Sequence, residues 1–149
     1  MRFLKYLFRT SEERRIKRVV AETGSTAGIA IVRSVPMVGL VERLQFERMG
    51  DRIVATTAIV RGKAKGQTAA MAVSLAAFDT AIELLEAAVW NLTTADRRGV
   101  KDAESYTIVW VAGSEPSRLF VRSPVHNELV RQVLNMLLPK RPPTSESPP

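Results

Sequence analysis

QTAAMAVSLAAFDTAIELLEAAVWNL, residues 67–92, decides the fold. Met71, Leu75, Phe78, Ile82, Leu85, Val89 and Leu92 follow one another by steps of four and three residues. That spacing lines them along one stripe of an α-helix. At 1.5 Å per residue, the helix predicted over 67–92 is roughly 40 Å long. Asp79, Thr80, Glu83 and Glu86 fall on the other side, toward water. Alanines flank the stripe, Ala81 and Ala88 among them, and allow another element to pack close.

Upstream of the helix the periodicity changes to two. GIAIVR (28–33) is a short β candidate, and Pro36 separates it from the next strand. Over 38–48, Leu44 and Phe46 alternate with Arg43, Gln45 and Glu47, as in a strand with one buried face. Gly50-Asp51 marks a tight turn, and RIVATTAIVR (52–61), rich in β-branched residues, returns antiparallel. Downstream, a polar loop (93–103) leads to a strand at 104–112 (ESYTIVWVA) and a partner strand at 118–122 (RLFVR). Ser123-Pro124 reads as the N-cap and first position of a last helix running to about residue 138. Its buried side is Val125, Leu129, Val133, Met136 and Leu137, and Pro139 ends it.

Residues 1–9 (MRFLKYLFR) place Phe3, Leu4, Leu7 and Phe8 on one helical face and Arg2, Lys5 and Arg9 on the other. Thr10 and Glu13 have capping-box spacing, which starts a second helix that ends near Glu22. Its apolar residues are Ile16, Val19 and Val20, and Arg14, Arg15, Lys17 and Arg18 crowd the rest of its surface. The fold class is therefore α+β. An antiparallel sheet of four to five strands is covered on one face by a long central helix and a C-terminal helix, preceded by short N-terminal helices. The organisation is a basic helical arm (1–22), one domain (23–139) and a Pro/Ser-rich tail (140–149) expected to be disordered.

Composition narrows the chemistry. With 149 residues, 46% of them hydrophobic, the chain can bury one core. It has no Cys and one His, so thiolate metal sites and disulfides are excluded, and neither metal nor cofactor is expected. The net charge of +7 is uneven: residues 1–20 hold seven Lys/Arg against two Glu, whereas residues 21–139 hold 13 against 12. An anionic partner is thus sought first at the N-terminus. No apolar run is long enough to span a bilayer and no secretory leader is visible. A cytoplasmic protein is expected, with peripheral membrane association through its arm as an option.

The second candidate site is the strand-to-helix loop. Arg61, Lys63 and Lys65 precede the expected helix start at Gln67 and Thr68. Cations are disfavoured at the positive end of a helix unless an anion also binds there, on free backbone N–H groups. The glycine order is not that of a P-loop. His126 lacks an orienting acid, since Glu128 lies on the wrong side of the helix, and Asp79, Glu83 and Glu86 read as a solvated stripe. No nucleophile–base pair emerges, so the chain is expected not to be an enzyme and no small-molecule substrate is identified.

Two short resemblances stop short of placing the chain in a family. RIVATTAIVRGKAKGQTAAMAVSLAAF (52–78) resembles the last strand and helix of double-stranded RNA-binding domains, which implies phosphate contacts by Lys63 and Lys65. The element order from Ser11 onward, with AAMAVSLAAFDTAIELL and SRLFVR, resembles roadblock-type dimerisation domains, which implies a scaffold. The function expected is an interaction or adaptor module, homo-oligomeric or bound to a protein partner. Its arm (Arg2, Lys5, Arg9, Arg14, Arg15, Lys17, Arg18) would engage an anionic surface such as a membrane. The alternative is a nucleic-acid-binding protein using that arm and the 61–65 loop.

Overall fold

In the computed structural model, which describes residues 11–23, 26–62, 72–113 and 115–138, the chain is an α+β fold around a five-stranded antiparallel sheet. The elements run α1 (Ser11–Thr23), β1 (Ala27–Val35), a 3-10 turn (Pro36–Val38), β2 (Leu40–Met49), β3 (Arg52–Arg61), α2 (Leu75–Ala88), α3 (Thr94–Arg98), β4 (Ser105–Val111), β5 (Pro116–Arg122) and α4 (Glu128–Leu137). The strand order is β3-β2-β1-β4-β5. β1 therefore lies at the centre and joins the first three strands to the β4–β5 hairpin, with Ile29 opposite both Phe46 and Trp110. Gly50, at φ +67°, supplies the left-handed residue that the two-residue β2–β3 turn needs.

The core lies between the sheet and the pair α2–α4. Ile29, Ile31, Phe46, Ile108, Trp110 and Val121 present the sheet's apolar face, and Phe78, Leu85, Val130, Val133 and Leu137 close over it. Burying each such side chain is worth about 1.5–3 kcal/mol. The helical stripe read from sequence is present but rotated. Phe78, Ala81, Leu85 and Ala88 are the fully buried residues of α2, while Ile82 and Val89 sit at the margin. Two buried alanines let α2 lie close against α4.

Helix α2 is shorter than the predicted 67–92. Residues 72–74 are not helical, and the Ser74 hydroxyl accepts from the Ala77 N–H at 3.1 Å, capping the helix. A Ser with this local acceptor competes with helix propagation, so the apolar period runs past the true start. The last helix starts late as well. Asn127, not Ser123, is its N-cap, bonding the Val130 N–H at 3.1 Å. The polar loop 93–103 contains α3, which carries a complete capping box between Thr93 and Asp96.

The sequence predicts helices on one face of the sheet only, but α1 packs on the other face. Ile16 and Val20 lie against Ala30, Val109 and Val111, which point away from α2 and α4. Gly28 makes the approach possible, because a Cβ there would lie 2.9 Å from Val20 Cγ2 and 3.1 Å from Ile16 Cδ1. The helix expected over 1–9, the Thr10 cap, the loop residues Lys63 to Thr68 and the tail 140–149 lie outside the described residues.

Candidate interaction surfaces

Two ion pairs dock α1 on the sheet. Arg43 of β2 donates from Nε to Glu12 Oε2 at 2.8 Å, and Arg118 of β5 pairs with Glu13 at 3.3 Å. The hydrogen bond to Glu12 outweighs burial and raises the Arg43 pKa further. Both acids of its first turn are thus turned to the sheet. Among the basic residues, Lys17 reaches Glu115 at 3.5 Å. Arg15 is half-buried, with its Nε enclosed and unbonded among the described residues. Arg14 and Arg18, one helical turn apart, are exposed. The outer face of α1 is therefore cationic although its first turn is acidic.

The two edges of the sheet differ. β5 starts at Pro116, carries Arg118 and Arg122, and is flanked by α1 and α3. Proline, charge and a covering helix are the usual protections of an edge. β3 has a ten-residue span, and its residues 56–61 (TTAIVR) are all exposed. Between Arg52 and Arg61 it holds neither charge nor proline. Near its end the register slips, so that Val60 is an extra, bulged residue between the pairs Glu42↔Ile59 and Val41↔Arg61. Gly62 then packs onto the β1–β2 connection, where a Cβ would lie 2.5 Å from Gly39 O. That contact brings Ile59 and Val60 to the end of the sheet that bears Met37 and Val38, which are 80% and 68% exposed.

Inside the fold, three polar side chains are held by specific partners. Arg33, on the α2–α4 face of β1, donates to Glu42 Oε1 at 2.9 Å and to Glu104 Oε1 at 2.8 Å and Oε2 at 3.2 Å. Burial lowers the Arg33 pKa, but its two carboxylate partners more than reverse this and hold it charged. Burial and the bond to Glu104, 2.8 Å from its hydroxyl, push the Tyr106 phenol up. Asp96, fully buried, accepts from the Asn127 and His126 N–H groups at 2.8 and 2.6 Å and from the Thr93 hydroxyl at 2.9 Å. Burial pushes the carboxyl up, yet these bonds prevail and hold it below the usual carboxylate range. The bonds of Asp96 staple α3 to the start of α4. An open groove beside Tyr106 is lined by Ser123, Val125, Leu134, Met136 and Leu138.

Of the loop residues expected to bind an anion, Arg61 is exposed at the end of β3, while Lys63, Lys65, Gln67 and Thr68 are outside the described residues, as are Arg2, Lys5 and Arg9 of the arm. His126 is exposed and acts on the fold through its main-chain N–H. The stripe Asp79, Glu83, Glu86 is only partly solvated, because Asp79 pairs with Arg48 at 2.7 Å and Glu86 accepts from Trp110. Among the described residues, no cluster of three or more His, Cys, Asp or Glu forms, and no helix is long and apolar enough to cross a membrane. The open β3 edge escaped the sequence reading, although RIVATTAIVR between two arginines carried its signal. Comparison with known protein families, curated proteins and solved structures finds no match.

Proposed function

We propose that the chain is a non-enzymatic interaction module that turns the basic outer face of α1, together with the arm preceding it, toward an anionic surface or partner. The observation that carries this reading is the sorting of charge on α1. Glu12 and Glu13 are taken up by Arg43 and Arg118 of the sheet, whereas Arg14 and Arg18 remain exposed. A solvated helix gains nothing from that division, but an anionic surface meets two arginines from which the two acids of the first turn are drawn away. Arg is also the side chain best shaped for bidentate contact with phosphate.

The test is binding of the full chain to phosphatidylcholine vesicles with and without phosphatidylserine, comparing wild type with Arg14→Ser plus Arg18→Ser. The reading expects binding that needs the anionic lipid and weakens in the double variant. Equal binding by the variant would sink it. A duplex or single-stranded RNA probe separates the alternative. The exposed Arg61 favours that reading if Arg61→Ala also weakens nucleic-acid binding and flattens its salt dependence.

A further inference from the structure

We infer that β3 is a self-pairing edge, on which a second copy of this chain adds its own β3 antiparallel to make a continuous ten-stranded sheet. The inference uses the edge of the sheet remote from β5 and does not rest on the anionic reading of α1. Three features of β3 lead to it.

The first is the open backbone. A two-residue turn closes on a doubly hydrogen-bonded pair, here Met49 and Arg52. Even-numbered β3 residues therefore turn their main-chain groups to β2. Ile53, Ala55, Thr57 and Ile59 turn theirs to the free edge, a row of donors and acceptors with no strand beside it among the described residues.

The second is self-complementarity. Between its terminal arginines RIVATTAIVR is neutral and β-branched or small throughout, so it can meet a copy of itself without opposed charge. A two-fold axis perpendicular to the sheet keeps each face on its own side, so each residue must meet one of the same face. With the axis at Thr56, Ile53 meets the partner's Ile59, Val54 meets the partner's Ala58 and Ala55 meets the partner's Thr57. Each is an apolar or neutral β-compatible pair, and no like charges oppose one another.

The third is charge at the ends. The same register brings the Arg61 end of one strand to the partner's Asp51, at the tip of its hairpin, and symmetry makes this contact twice. The bulge at Val60 adds twist there, and the exposed apolar residues Ile59, Val60, Met37 and Val38 flank the junction.

Cysteine cross-linking tests the register, because the chain has no cysteine of its own. Thr56 would face the partner's Thr56 in a non-hydrogen-bonded pair, with Cα atoms about 4.5 Å apart, within disulfide reach. Oxidised full-length Thr56→Cys should run as a covalent dimer. Ala58→Cys should not, since the two thiols would be about 13 Å apart along the strands. Sedimentation velocity, without any anionic partner, should show a dimer for wild type and a monomer for Thr57→Pro. The Thr57 N–H points to the free edge, so the monomer tolerates its loss. Ile59→Lys is the second disrupting variant, with circular dichroism confirming that both are folded. A monomeric wild type at about 100 µM, above the reach of weak association near the micromolar range, overturns the inference. So does a dimer that survives both substitutions while Thr56→Cys stays uncross-linked.

Discussion

The indole N–H of Trp110 is buried in the core and donates to Glu86 Oε1 at 2.9 Å, although Glu86 lies on the exposed side of α2. The bond ties the central sheet to its covering helix at a position where the helical period alone puts a solvent-facing acid. Glu86→Ala should leave the indole donor unsatisfied and lower stability by about 1–3 kcal/mol in urea unfolding. Glu86→Gln keeps an acceptor and should lose less. Equal losses would mean that the bond does not matter.

Phe78 is fully buried where α2 meets the sheet. Phe78→Ala is expected to cost about 3–5 kcal/mol, a large share of the stability of a domain this size. Thermal unfolding reads it directly. A variant that melts as wild type does while losing only self-association would place Phe78 at an interface instead.

Asp96 gives a pH signature. Its carboxyl is held below the ordinary value, so its contribution is fully present above about pH 4 and is lost as pH falls through the lower folded-state value. Asp96→Ala should therefore be much less stable than wild type at pH 7, and the gap should narrow as the solution is acidified toward pH 2. A gap that stays constant with pH would show that the charge of Asp96 contributes nothing.

Gly28 sits under α1 with no room for a larger residue. Gly28→Val should push Ile16 and Val20 off the sheet and cost about 1–3 kcal/mol. Hydrogen exchange is the measurement: α1 amides should exchange faster while those of α2 keep their protection. Uniform acceleration across the chain would contradict a local effect.

The sequence was legible where one period dominated. RIVATTAIVR gave β3 with its observed limits, and Leu44 with Phe46 set the buried face of β2. Where a polar side chain competed with the period, it misled. Ser74 and Asn127 each bond a backbone N–H three residues on and so fix helix starts that apolar spacing cannot see. α3 had a legible signal, Thr93 with Asp96 three residues later, hidden inside a polar stretch. The second layer left a signal that the one-face expectation passed over. Ile29-Ala30-Ile31 and Ile108 to Val111 are unbroken apolar runs, and strands covered on both faces read that way. The α1 and β3 surfaces were harder to read, because exposure of Arg14, Arg18 and Thr57 depends on what their neighbours bind.

β1 is the middle strand of the finished sheet, but its neighbour β4 is made only after β2, β3, α2 and α3. While the protein is being synthesised, β1 is therefore an outer strand for as long as residues 105–111 remain inside the ribosome. That temporary flank is apolar on both sides, with Ile29 and Ile31 on one and Ala30 on the other. A nascent chain halted before β4 exposes an apolar border that the completed molecule covers, and a holding chaperone has that border to shield.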